Sequence, residues 1–288
     1  MRLCRFGNSR LGLVRGDHVV DVSSVVEKLP GCRYPLPNFD PLIAALNNLR
    51  PHIEEAARGG EKLPLNALEL LSPIANPGKI VAAPVNYARH LDEARTDPAI
   101  HHQNQIAEIQ RVGLFLKATS SVVGPSAGVA LRHAERRNDH EIELAVVIGK
   151  PADRVPGERA FDYIAGYCIG LDMTVRGPEE RSLRKSIDSF TVLGPWLVTA
   201  DELHDPTALD LVLTVNGEPR QAANTRDLIL GIPELIAYAS SFYTLMPGDV
   251  LLTGTPEGVG PVVPGDLINA SIDRVGSIDV RVRAATPP

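Results

Sequence analysis

The chain has 288 residues, 44% of them hydrophobic and 22% charged, enough to bury a sizeable core in one large domain or two. A net charge of −6 and a pI near 5.8, with no basic run interleaved with aromatics, argue against a nucleic-acid surface. Three scattered cysteines fit neither a disulfide framework nor a zinc pattern, the N-terminus has no apolar leader, and no apolar run reaches membrane-spanning length, so a cytoplasmic protein is expected that binds neither nucleic acid nor membrane.

Leu11–Val14 and His18–Val22 read as a β-hairpin around Gly16. Asp40 and Pro41 supply the N-cap and first residue of a helix through Leu42–Leu46, and a second helical piece after Pro51 stops at Gly59-Gly60. Pro64 to Pro77 reads as a connector, which suggests a small N-terminal α+β domain over 1–74 and a main domain over 75–288. Lys79–Ala83 is a strand signal. If the chain turns helical from Tyr87, His90 and Glu93 share one face. That spacing lets a carboxylate hold an imidazole in one tautomer, as a general base requires; a solvent-facing pair has the same spacing. Residues 94–112 are polar, and the adjacent His101 and His102 do not face each other on a helix, so they read as surface residues. Tyr87 to Arg111 is expected to form a lid, poorly ordered without ligand, leading into the apolar strand Gly113–Lys117.

The stretch Asn138–Lys150 organises the rest. Side chains alternate along a strand, so Glu141, Glu143, Ala145 and Val147 share one face, and Ile142, Leu144, Val146 and Ile148 the other. Two carboxylates leaning into an apolar layer require a proton, an arginine or a metal. Ala165–Leu171 is another buried-strand signal, ending on Asp172, which suits either a helix N-cap or a third carboxylate beside Glu141 and Glu143. The three together make an all-oxygen set suited to Mg²⁺ or Mn²⁺. Arg181–Phe190 is a basic cluster of the kind that usually faces solvent. Leu209–Ala222 reads as a hairpin turning at Asn216-Gly217, and Pro233–Tyr243 as a helix with a stripe of Leu235, Tyr238, Ala239 and Phe242. After the strand Val250–Thr253, the run Gly254–Gly260 lets backbone amides approach a ligand closely, but it lacks the lysine of a nucleotide-binding loop.

Five blocks then fall in one order: Asn86-Tyr87 with His90 and Glu93; Glu141 with Glu143; Leu171-Asp172-Met173-Thr174 with Arg176; Lys185-Ser186 with Asp188 and Phe190, running to Gly194-Pro195-Trp196; and Thr253–Gly260. Together they resemble the fumarylacetoacetate hydrolase family over roughly residues 75 to 285. The resemblance implies an α+β, mostly β fold, a mixed rolled β-sandwich behind a small N-terminal domain, assembled as a homodimer. It implies Mg²⁺ or Mn²⁺ on Glu141, Glu143 and Asp172. His90 with Glu93 would be the water-activating pair, and Lys185 would steady developing negative charge. Tyr87, Arg176, Glu179, Gly254 and Thr255 would contact substrate. Where some relatives carry Arg-Asp-x-Gln, this chain has Arg176-Gly177-Pro178-Glu179, a change that bears on the substrate. The implied activity is metal-dependent hydrolysis of a C–C bond in a β-diketone or acylpyruvate-type keto acid. The alternatives are a decarboxylase or tautomerase of a keto acid such as oxaloacetate, and, more remotely, a non-catalytic metabolite-binding β domain.

Overall fold

The structure is a computed structural model that describes residues 1–101 and 107–285, so His102 lies outside the described residues. β1 (Arg2–Phe6), β2 (Arg10–Arg15) and β3 (His18–Asp21) form an antiparallel meander, and the expected hairpin turns through Gly16 at φ +61°. Helix α1 (Pro41–Gly59) starts where the sequence places it, with the Asp40 carboxylate accepting from the Leu42 and Ile43 amides at 2.9 and 3.1 Å. The helix does not divide at Pro51 but runs through it. Ile43, Leu46, Leu49 and Ile53 keep one buried stripe on both sides of the proline. Burying each is worth about 1.5–3 kcal/mol, against about 3 kcal/mol for an interior proline, so packing wins. The short strands β4 (Lys62–Pro64) and β5 (Leu70–Leu71) follow.

The next segment carries β6 (Ile80–Ala82), helices α2 (Ala88–Thr96), α3 (Pro98–His101) and α4 (Ile109–Val112), then β7 (Phe115–Lys117), β8 (Val122–Val123) and β9 (Val129–Leu131). The centre of the chain is β10 (Asn138–His140), β11 (Ile142–Ile148), β12 (Ile164–Asp172), β13 (Thr174–Val175), helix α5 (Arg181–Lys185) and β14 (Thr191–Thr199). The C-terminal part holds β15 (Asp210–Val215), β16 (Glu218–Asn224), helix α6 (Ile232–Phe242), β17 (Val250–Leu252), β18 (Gly260–Pro261), β19 (Leu267–Ile272) and β20 (Gly276–Ala284). β15 and β16 are the expected hairpin, with Asn216 and Gly217 both at positive φ.

The main sheet has 12 strands in the order β4-β3-β2-β1-β14-β12-β11-β17-β6-β7, with β5 added to β1 and β8 to β14. It is mixed, since β6 with β17 and β8 with β14 run parallel. The expected boundary at residue 74 falls between β5 and β6, and the sheet crosses it where Arg2 of β1 lies opposite Val198 of β14. A second sheet, β16-β15-β19-β20-β9, packs on one face and shares a core with Ile142, Leu144, Val146 and Ile148. Helix α1 covers the other face, where Ile43, Leu46, Leu49 and Ile53 join Ala145 and Val147. Both faces of β11 are therefore buried. A three-stranded ribbon, β13-β10-β18, closes the end of the sheet at which Glu141 and Asp172 emerge. On α6 the buried stripe is Ile232, Leu235, Ile236 and Ala239, while Phe242 of the expected stripe is 68% exposed. The helix ends at Phe242, whose ring lies against Tyr238 and Tyr243, with centroids 5.2 and 6.4 Å away, and not in the core. No helix among the described residues is long and apolar enough to cross a membrane.

Candidate metal centre and catalytic cavity

Antiparallel pairing of β11 with β12 sets Ile142 opposite Leu171, and the Asp172 amide donates to the Glu141 carbonyl at 2.9 Å. That register carries Glu141 and Glu143, alternating on one strand face, up to Asp172 at the end of its neighbour. Asp172 leads into β13, so it caps no helix. Oxygen atoms of the three carboxylates lie within 4.8 Å of one another, and all three residues are buried. This is the hard-oxygen donor set that suits a divalent cation. Lys185 Nζ stands 2.6 Å from Glu141 and 2.7 Å from Asp172, so the cluster already draws a positive atom between two of its members.

Charge around the cluster is unevenly shared. Lys117 Nζ donates to Asp172 and, at 2.8 Å, to the Phe190 carbonyl; Arg176 reaches Glu141 at 3.0 Å and Asp139 at 2.7 Å. Burial works against ionisation of Glu141, but Lys185 and Arg176 outweigh it and hold the group at about 2. Among the described residues Glu143 has no such hydrogen-bonded partner. Burial and the neighbouring Asp172 push it well above the usual carboxylate range, and it accepts from the Gly254 amide at 2.6 Å. Burial also pushes Lys117 down. A cation bound beside Glu143 would work against that push and favour its ionised form.

His90 and Glu93 sit on α2, the first element of the excursion between β6 and β7. His90 is buried, and its Nδ1 lies 2.8 Å from a Glu93 oxygen. A carboxylate partner requires the proton on Nδ1, which leaves Nε2 as the basic atom. The other Glu93 oxygen accepts from the Gly258 amide at 3.0 Å, docking α2 on the glycine-rich run. Gly254 there has φ +98°, and a Cβ would meet that of Asn86 at 2.6 Å, so only glycine lets the amide reach Glu143.

A cavity of about 470 Å³ gathers His90, Glu141, Lys185, Arg176 and Glu179 on one wall system. The expected substrate contacts are not all placed alike. Glu179 is held by Arg136 through two hydrogen bonds of 3.0 and 2.8 Å. Thr255 is buried and accepts from Gln221 at 2.7 Å, and the Tyr87 hydroxyl is buried with no hydrogen-bond partner among the described residues. Neither lines the cavity. Sequence reasoning missed Lys117, whose only signal was a lysine closing an apolar strand. It also missed Gln221, which ties Thr255, the Ile142 amide and His140 together.

A model of the fumarylacetoacetate (FAA) hydrolase C-terminal family matches residues 79–283. The chain belongs to this family. It is 57% identical to a maleylpyruvate hydrolase of Aquipseudomonas alcaligenes, covering 99% of this chain and 100% of that one. It is 35% identical to a mitochondrial oxaloacetate tautomerase of Xenopus laevis, over 96% of this chain and 89% of that one. Among solved structures, the maleylpyruvate hydrolase of Sphingobium sp. SYK-6 in complex with manganese (II) ion and pyruvate superposes with a TM-score of 0.83 at 43% identity, over 99% of this chain and 100% of that one.

Proposed function

We propose that the chain is a metal-dependent hydrolase that cleaves the C–C bond of an acylpyruvate, with maleylpyruvate or a close analogue as substrate. The observation that carries this reading is that Glu141 of the acidic cluster, Lys185 and His90, the last held by Glu93, line one cavity. A divalent cation, Mg²⁺ or Mn²⁺, held by Glu141, Glu143 and Asp172 would bind neighbouring oxygens of the keto acid and withdraw electron density from them. His90 Nε2 takes a proton from water as the hydroxide adds to the acyl carbonyl carbon, and Glu93 steadies the imidazolium through Nδ1. The bond between that carbon and the pyruvate methylene breaks, its electron pair moving onto the pyruvyl fragment. Lys185 stabilises the resulting negative charge, and His90 returns its proton to the methylene carbon, giving pyruvate and a carboxylic acid. Lys117 and Arg176 position Asp172 and Glu141.

The oxaloacetate tautomerase relative supports a second reading, proton transfer at an enolisable carbon without cleavage. Both readings are tested by supplying acylpyruvates and oxaloacetate with Mg²⁺ or Mn²⁺ and following pyruvate release against loss of the enol absorbance. Pyruvate released from acylpyruvates supports hydrolysis; enol loss without pyruvate overturns it in favour of the tautomerase. We read the working form as a homodimer, which sedimentation at micromolar concentration checks, a monomer there contradicting it. The free cysteines Cys4, Cys32 and Cys168 suit a reducing cytoplasm.

A further inference from the structure

The cavity that holds His90, Glu141 and Lys185 is also lined by Arg176, Arg181 and Arg184, and these arginines are not equally paired. Arg176 is taken up by Asp139 and Glu141. Among the described residues the Arg184 side chain donates only to carbonyls, those of Glu179 at 2.8 Å and Val175 at 3.3 Å. The Arg181 side chain makes no hydrogen bond and no ion pair among the described residues; its guanidinium lies over the Phe115 ring, with Cζ 5.5 Å from the ring centre. The acids nearest in sequence are engaged elsewhere. Glu179 is held by Arg136, and Glu180 accepts from the Ser182 and Leu183 amides at 2.7 and 3.4 Å.

A guanidinium stacked on an aromatic face keeps its plane fixed and its N–H edges free. Those edges match a carboxylate in a paired, two-point geometry. The electrostatics agree. Burial works against the charge on Arg181 more strongly than Glu141, Glu180 and Asp172 support it, and Arg184 is pushed down by burial and by Arg176 and Arg181. Positive charge is therefore concentrated on the wall of α5, and at Arg181 no protein carboxylate among the described residues meets it in a hydrogen bond.

We infer that Arg181 receives a carboxylate at the end of the substrate remote from the keto acid, so that the cavity selects acylpyruvates charged at both ends. This rests on the reading of the cavity as an acylpyruvate site, and it makes Arg181 a specificity-determining residue. A guanidinium that served only to cover Phe115 would discriminate by shape and not by the charge of the distal group.

The test measures binding by calorimetry to the Mg²⁺- or Mn²⁺-loaded protein. The probes are 2-oxo diacids of five, six and seven carbons against 2-oxo monoacids of equal length. None has the second carbonyl that hydrolysis requires, so binding is read without turnover. The wild type is expected to favour the best diacid over its monoacid by about 10- to 100-fold, the range for a hydrogen-bonded charged pair. Arg181→Met should bring the ratio to within about threefold by weakening the diacid alone, and Arg181→Lys should restore part of it. Leu183→Ala, on the same helix but 65% exposed and outside the cavity lining, should leave the ratio unchanged. An unchanged ratio in Arg181→Met, equal weakening of both acids, or no diacid preference in the wild type overturns the inference. If the ratio behaves as expected but no acylpyruvate is cleaved, Arg181 stands and the hydrolase reading fails. Cleavage with an unmoved ratio fails Arg181 alone.

Discussion

The acidic cluster and the His90–Glu93 pair meet at one cavity, through Glu141 and His90, but are built in different ways. Glu143 lies on a strand hydrogen-bonded on both sides, to β12 and to β17, with apolar layers on both faces. His90 lies on a nine-residue helix in an excursion between two short strands. That helix is tied to the body by the Gly258 amide on Glu93, by Arg89 at 3.3 Å from Glu257, and, just past its end, by Arg137 at 3.0 Å from Asp97. The cation site needs fixed geometry at all times, whereas the base needs its geometry only when substrate is present and water is excluded. On the proposed reading the contrast divides the labour: the sheet holds charge, and the excursion brings the proton acceptor.

The sharpest way to break that division is to remove one function at a time. His90→Ala should lower acylpyruvate hydrolysis by about 10²–10⁴-fold, the usual worth of general-base catalysis, measured as kcat with saturating cation. Solvent deuterium exchange at the enolisable carbon should persist better than hydrolysis in this variant, and Lys185→Ala should impair both. A wild-type rate in His90→Ala would leave His90 a structural residue and favour tautomerisation. Gly254→Ala attacks the rigid half. Its φ of +98° and the 2.6 Å approach to Asn86 Cβ predict a loss of at least about 1–3 kcal/mol in urea unfolding, with weaker cation binding because the Glu143–amide contact is displaced. A neutral result would show that the loop can move away at little cost.

The two halves should also differ in opening. Amides of α2 are expected to exchange about 10²-fold or more faster than those of β11, the factor for an opening cheaper by about 3 kcal/mol. Equal protection would remove the basis for calling the excursion a lid. The smallest expected effect lies far from the site and calibrates surface charge. At Asp201 partial burial opposes ionisation, but hydrogen bonds from Arg50 and Thr199 lower it to about 2 from the ordinary 3.8. A depressed carboxylate stabilises the fold fully above its unfolded value and stops doing so as pH falls through the folded one. Arg50→Ala should therefore cost about 0.2–1 kcal/mol near pH 6, discounted because Asp201 is 55% exposed, and the difference should vanish as pH drops from 3.8 toward 2. A difference that persists at the acid end would assign the effect to the Arg50 stem and not its charge.

The strand-borne half was far more legible in the sequence than the rest. Alternation along Glu141–Ile148 declares two faces, and the carboxylates stand out because their face continues into Ala145 and Val147. Asp172 could be added only as one of two options, since a strand-ending acid looks the same whether a helix or another strand follows. Lys117 was invisible because its partner Asp172 lies 55 residues away and only sheet pairing joins them. The continuity of α1 through Pro51 and the exposure of Phe242 were equally out of reach, for both depend on what the far side of the helix meets. The arginines of α5 looked like a solvated face until their wall position beside Lys185 was known.

The most direct test of the division between sheet and excursion is calorimetric titration of Mn²⁺ into wild-type, Glu143→Ala and His90→Ala proteins, each checked for fold by unfolding, with hydrolysis followed in parallel. The account predicts that Glu143→Ala loses cation binding and hydrolysis together, while His90→Ala binds Mn²⁺ as the wild type does and loses hydrolysis alone. Full cation occupancy in Glu143→Ala, or loss of Mn²⁺ binding in His90→Ala, would contradict it.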